Sequence, residues 1–331
     1  MAREAAEAAA AARRQIETCA DRFATLADRL RARPPAVIVT CARGSSDHGA
    51  TYGKYLLETT VGRVVASVGP SIASTYGSEL ALDGALFLAI SQSGRSPDLL
   101  RLTTAARASG ALVVAMVNDI GSPLAAHAEL VLPLCAGAEL SIAATKSFLM
   151  VGVAFLQLAA AWTEAPALRA AVASTPDALA AAAALDWLPG LATLVPATRA
   201  FVIARGIGLG AAHEVALKLK ETCRLHAEAL SAAELQHGPI ALVEPGFPII
   251  ALAQDDATLP ATRDAIAQLE ALGASVVSTL DGTLPQVPGV PAVLAPLCQV
   301  QSFYLAVPRL AAARGLDADA PLHLRKITET V

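Results

Sequence analysis

Ala36-Val37-Ile38-Val39-Thr40-Cys41-Ala42-Arg43-Gly44-Ser45-Ser46-Asp47 is the stretch that decides the fold. Its first half is a short β-branched run of the kind a parallel sheet buries on both faces. Its second half is a polar turn with a glycine and two serines, and a helical pattern follows to Glu58. The same order recurs twice downstream. Ala85-Leu86-Phe87-Leu88-Ala89-Ile90 runs into Ser91-Gln92-Ser93-Gly94 and a helix through Arg107, and Leu112-Val113-Val114-Ala115-Met116-Val117 ends at Asn118-Asp119. Strand, polar loop and helix in repetition predict a doubly wound α/β domain.

The pattern then restarts at a nearly constant spacing. Phe201-Val202-Ile203-Ala204 leads into Arg205-Gly206 as the first strand leads into Arg43-Gly44. Ile249 to Asp255 lines up with Phe87 to Ser93, and Gly273-Ala274-Ser275-Val276-Val277 echoes Gly110-Ala111-Leu112-Val113-Val114. Three matches in order imply two copies of one α/β unit, an internal duplication with parallel sheets. Residues 4–32 are rich in Ala, Glu and Arg and lack Pro and Gly, which predicts one long helix stopped at Arg33-Pro34-Pro35. The expected organisation is an N-terminal helix over 1–33, a first subdomain over 34–185, and a second over 186–331 ending in a C-terminal tail.

Composition narrows the class. The chain has 331 residues, 54 % apolar and 16 % charged, with 25 Lys+Arg against 29 Asp+Glu for a net charge of −4. So apolar a chain is not disordered, and an acidic sum without a basic cluster speaks against a nucleic-acid partner. The longest apolar stretch, Ser147 to Trp162, is interrupted by Gln157 and falls short of the roughly 20 residues a membrane span needs. It reads as a buried helix, and the chain as a cytoplasmic protein without a membrane partner. Cys19, Cys41, Cys135, Cys223 and Cys298 are far apart and form no C-x-x-C pair, so buried thiols are expected rather than disulfides or a zinc site. No metal and no cofactor is expected.

Ligands of open α/β sheets bind beyond the carboxyl ends of the strands. Gly44-Ser45-Ser46 and Ser91-Gln92-Ser93-Gly94-Arg95-Ser96 both fall there. Their hydroxyls and the helix N-termini suit a phosphate, although serines there also serve as helix N-caps. The second copy has Ala253-Gln254-Asp255-Asp256 instead, whose carboxylates would repel an anion. It offers other chemistry: in Ala211 to Thr222, Glu214, Lys218 and Glu221 share one helix face. That face is either an exposed ion-pair stripe or, given the apolar neighbours, a site where a partly buried Glu moves protons near neutrality. His226-Ala227-Glu228 and Glu234-Leu235-Gln236-His237-Gly238-Pro239 bring further ionisable groups.

These segments, with Ala143-Ala144-Thr145-Lys146 and Leu324-Arg325-Lys326, resemble the SIS (sugar isomerase) phosphosugar-binding family from about residue 36 onward. The resemblance is to the isomerase half of glucosamine-6-phosphate synthase. Cys41 to His48 and Ser91 to Asp98 look closer still to SIS-type glucosamine-6-phosphate deaminases. It implies that Ser46, Ser91, Gln92, Ser93 and Ser96 hold the phosphate, with Ser45 beside them. Ala143, Ala144 and Glu214 line the sugar. Ala144 departs from the synthase pattern, which has Ser there. Glu221 matches the base acting between C1 and C2, and Lys218 a lysine able to form an imine. His237 matches the ring-opening histidine, which in this family comes from the partner subunit. Lys326 matches a lysine that closes over the sugar.

The implied activity is deamination of glucosamine 6-phosphate to fructose 6-phosphate and ammonia by a homodimer with shared sites, using an amino-sugar phosphate as its small-molecule partner. Met1-Ala2-Arg3 opens a helix and the first cysteine is Cys19, so no glutaminase is expected ahead of the duplicated unit. A synthase using free ammonia, a deglycase of phosphorylated fructose–amino-acid adducts and a non-catalytic phosphosugar sensor are the alternatives. The enzymatic reading requires a Glu221 pKa nearer 7 than that of a free Glu, which apolar helix surroundings would supply.

Overall fold

β-Branched and aliphatic runs form the strands, and their two-sided burial follows from helices covering both faces. The computed structural model describes residues 1–324 and 326, which divide into two compact units. One comprises 10–139 and 146–175 with residue 326; the other comprises 1–9, 140–145 and 176–324.

The first unit holds five parallel strands: β1 (Ile38–Cys41), β2 (Val65–Ser67), β3 (Leu86–Ser91), β4 (Leu112–Val117) and β5 (Leu130–Pro133). They lie in the order β2-β1-β3-β4-β5, with Ile38 opposite Leu86 and Leu86 opposite Leu112. β3 is buried along its whole length. The second unit has β6 (Arg199–Ala204), β7 (His226–Ser231), β8 (Pro248–Ala251) and β9 (Ser275–Ser278), parallel and ordered β7-β6-β8-β9. The two parallel sheets are those of a duplicated α/β fold.

The helices in chain order are α1 (Ala2–Ala6), α2 (Ala8–Ala32), α3 (Ser45–Thr60), α4 (Ser71–Ser74), α5 (Pro97–Ala108), α6 (Pro123–His127), α7 (Lys146–Thr163), α8 (Pro166–Ala183), α9 (Leu209–Cys223), α10 (Leu259–Ala271) and α11 (Ala295–Ala313). The N-terminal helix is not continuous. It breaks at Glu7, and α1 belongs to one unit while α2 from Ala10 onward belongs to the other. Side-chain bonds account for the break: Glu4 accepts the N–H groups of Leu140 and Ser141, and Gln301 donates to Ala5 O at 2.9 Å, so α1 is committed to the second unit.

α7 is long and apolar enough to cross a membrane by composition alone, yet 89 % of that window is buried inside the structure. It packs on α3, where Gly49 and Gly53 let the helices approach: a Cβ at Gly49 would stand 2.6 Å from Val151 Cγ1. The cysteines follow the expectation with one exception: Cys135 is partly exposed, while the other four are buried.

Candidate functional site

In the first unit the strand order reverses direction between β1 and β3, and an open sheet receives ligands outside the carboxyl ends at such a switch point. The two serine loops sit there. Gly44 turns the chain at φ +55 so that α3 begins at Ser45. Ser45, Ser46, Gln92, Ser93 and Ser96 are half-buried, and Ser91 is buried at the tip of β3. Ser91 Oγ accepts the Gly94 N–H at 3.0 Å. Gly94 has φ +63, and a Cβ there would overlap Ser122, so only glycine lets the loop fold this tightly. The N-cap position of α3 is Gly44 rather than a serine, and Ser96, at the N-cap of α5, makes no side-chain capping bond. At Ser96 the capping alternative therefore falls away.

A tie between the two loops was not legible beforehand. Arg43, beside the first loop, donates from Nε to Asp98 Oδ2 at 3.1 Å, with a second bond from Nη2. Asp98 is 1 % exposed and lies in the first turn of α5. Both residues stand inside the segments whose resemblance was noted, but spacing says nothing of which charges meet. Asp47, in the first turn of α3, has its pKa raised chiefly by burial, against the lowering influences of His48, Ser67 and Arg43.

The second unit has the same switch point between β6 and β8, and its own side chains fill it. Gln254 Nε2 lies 2.9 Å from Arg205 O, 2.9 Å from Asp256 Oδ2 and 3.0 Å from Thr258 Oγ1. Asp256 Oδ1 accepts the Thr258 N–H at 2.8 Å. A Cβ at Gly208 would come within 2.7 Å of Gln254 Oε1.

α9 carries the ionisable array of that unit. Glu214, Lys218 and Glu221 share a face as the spacing predicts, and it is an inward face rather than an exposed stripe: their side chains are 0 %, 1 % and 20 % exposed. Lys218 Nζ lies 3.3 Å from Glu214 Oε1 and 2.6 Å from Glu221 Oε2. Burial opposes the Lys218 charge, but the two carboxylates outweigh it and the pKa is raised. Tyr304 of α11, fully buried, donates its hydroxyl to Glu214 Oε1 at 2.7 Å. Sequence reasoning missed Tyr304; a phenol in a mostly apolar helix was the available signal, since buried Tyr hydroxyls find partners. The immediate neighbour of Glu221 is an ammonium, not the apolar surface expected.

The remaining candidates are scattered. His226-Ala227-Glu228 is no cluster: it opens edge strand β7, with Ala227 buried and the two ionisable residues exposed. His237 is exposed on a 3-10 turn, Glu234–His237, whose Leu235 is buried. Ala143 is buried, Ala144 half-buried, and Glu4 holds the backbone at Leu140 and Ser141 just before them. Lys326 is half-buried, whereas Arg325 of its motif lies outside the described residues. Among the described residues, no three His, Cys, Asp or Glu side chains gather as a metal-binding group.

Comparison with known proteins bears on this arrangement. The SIS domain model matches residues 34–161 and 193–281. The glutamine–fructose-6-phosphate aminotransferase (isomerizing) of Thermococcus kodakarensis is 34 % identical over 308 residues, which is 87 % of this chain and 51 % of that protein. The chain thus spans about half the length of the curated relatives it matches. A Silicibacter pomeroyi DSS-3 protein assigned as a phosphosugar isomerase is 43 % identical with a TM-score of 0.92, covering 96 % of this chain and 99 % of that one. Glucosamine-6-phosphate deaminase of Thermotoga maritima shares the fold, with a TM-score of 0.75 at 21 % identity over 98 % of this chain and 100 % of that one.

Proposed function

The chain belongs to the SIS domain family, and from that premise we propose that it is a glucosamine-6-phosphate deaminase releasing fructose 6-phosphate and ammonia. The observation that carries the reading is the buried Glu214–Lys218–Glu221 array, which presents one partly exposed carboxylate at the end of a dry ionic cluster. The serine loops at the β1/β3 switch point hold the phosphate through hydroxyls and helix N-termini. That grip orients the sugar by contacts remote from the reacting carbons.

His237 of a partner subunit assists ring opening by moving a proton between O5 and O1. Glu221 takes the C2 proton and returns it to C1 through an enolamine. The resulting C2 imine adds water, and the C–N bond breaks to leave the ketone and ammonia. Lys218 acts as a fixed ammonium rather than as an imine-forming amine. An imine needs the free base, and two flanking carboxylates favour the charged form. Lys326 closes over the sugar.

Deamination is preferred to amination because Cys41–His48 and Ser91–Asp98 resemble the deaminases, and Arg43 and Asp98 of those two segments are bonded to each other. The decisive experiment supplies the purified chain with glucosamine 6-phosphate and measures ammonia and fructose 6-phosphate. Release of both is expected. Formation of glucosamine 6-phosphate from fructose 6-phosphate and ammonium, with no appreciable release, would assign the amination direction instead. Binding without turnover would make the chain a sensor.

A further inference from the structure

Two cysteines separated by most of the first unit's sequence meet at the carboxyl end of its sheet. Cys19 lies on α2, and Cys135 follows β5 in the left-handed region at φ +53. Their sulfurs are 3.7 Å apart. Thr18 Oγ1, whose hydroxyl donates to Arg14 O, stands 3.6 Å from Cys135 Sγ, so the partly exposed sulfur has a second polar group beside it. Two guanidinium groups are fixed in the same place by backbone carbonyls. Arg14 Nε donates to Cys135 O at 3.0 Å, and Arg22 Nη1 donates to Val131 O at 3.1 Å. The contacts with Cys19 and Thr18 and these positive charges hold the Cys135 thiol below the ordinary cysteine range against its burial, while Cys19 is pushed up by its bond to Cys135 and by burial. A thiolate near cations, in reach of solvent and of a second thiol, has the surroundings of a reactive cysteine with a resolving partner.

We propose that Cys135 is a peroxide-oxidised cysteine and that Cys19 resolves it into an intramolecular disulfide joining α2 to the end of β5. The Cys135 thiolate attacks one oxygen of hydrogen peroxide. An S–O bond forms, the O–O bond breaks, and hydroxide leaves, so the sulfur loses two electrons to the peroxide. Cys19 then gives up its proton and attacks the sulfenic sulfur. The S–O bond breaks and the oxygen departs with a proton as water. The sum is two thiols and one peroxide giving one disulfide and two waters. The sulfurs must close from 3.7 Å to about 2 Å, and Cys135 sits in a loop rather than in a strand or helix.

The wild-type chain is treated with hydrogen peroxide, its remaining thiols are blocked, and its peptides are mapped by mass spectrometry without reduction. A Cys19–Cys135 linkage is expected, with Cys41, Cys223 and Cys298 unmodified. In Cys19→Ser, Cys135 is expected to accumulate as a sulfenic acid trapped by dimedone; in Cys135→Ser, neither product forms. On the untreated wild type, the pH profile of Cys135 alkylation is expected to have its midpoint below the roughly 8.5 of a free thiol. A midpoint at or above that value, or oxidation of Cys135 no faster than of the three buried cysteines, would overturn the proposal. So would a peroxide-treated wild type with Cys19 and Cys135 unlinked. The wild-type measurements stand even where a variant misfolds.

Discussion

Lys218 is a cation with almost no contact with water, held by one carboxylate that is equally dry and another that reaches the surface. Removing the cation strands Glu214 in the interior with only its remaining partners, so Lys218→Met should cost about 3–5 kcal/mol in urea unfolding. Tyr304→Phe, which withdraws one donor from Glu214, should cost about 1–3 kcal/mol. The Lys218 pKa is raised on folding, so its stabilising contribution is complete below the ordinary lysine value and fades as pH climbs through the raised one. Wild-type stability should therefore fall at pH above roughly 10.4, and the Lys218→Met chain should lack that part of the fall. Glu221→Gln keeps the size of the side chain and removes the base. Ammonia release should drop by about 10²–10⁴-fold with little change in KM, and undiminished release would remove Glu221 from the proposed reaction. Helical spacing disclosed that these three residues share a face. It could not disclose Tyr304, because periodicity says which side of a helix looks inward and not what waits there.

Among the elements, the central strands were easy to read. β1, β3, β4, β6 and β8 are apolar on both faces, and that is a signal intrinsic to the chain. β2, β5 and β7 are edge strands buried less fully than the central ones, and β7 reads as His-Ala-Glu-Ala-Leu-Ser; its regularity comes from pairing with β6, which local sequence does not encode. The break at Glu7 escaped for the same reason, since the bonds of Glu4 and Gln301 that hold α1 are long-range. Helix packing gives the test at this scale. A Cβ at Gly53 would run into the Phe155 ring, which is fully buried. Gly53→Ala should therefore destabilise by about 1–3 kcal/mol through overpacking, despite alanine's better helix propensity. A gain in melting temperature would show that α3 and α7 can move apart.

For the molecule as a whole, duplication was visible in the recurrence of strands and turns, and the two sheets share one strand order over their first four members. The fate of the second switch point was only partly visible. Asp255 and Asp256 announced that it would not welcome an anion, but Gln254 as the plug emerged from geometry. A phosphosugar that binds the folded chain should raise its stability by about 2.7 kcal/mol at a concentration 100 times its Kd. Differential scanning calorimetry with fructose 6-phosphate should show a rise in Tm that Ser46→Ala with Ser93→Ala abolishes and Gln254→Ala leaves in place. A rise lost only in Gln254→Ala would move the phosphate to the other unit.

That plug also bears on how the duplicated chain can change in future. Gln254 Nε2 is tied at once to the Arg205 carbonyl, Asp256 and Thr258, and Asp256 also accepts the Thr258 N–H, so replacing Gln254 takes a partner from three groups before it opens room for a guest. Restoring a vacancy there demands several coordinated changes at once. Change is thus easier in the serine loops of the first unit, to which the proposed function assigns the phosphate.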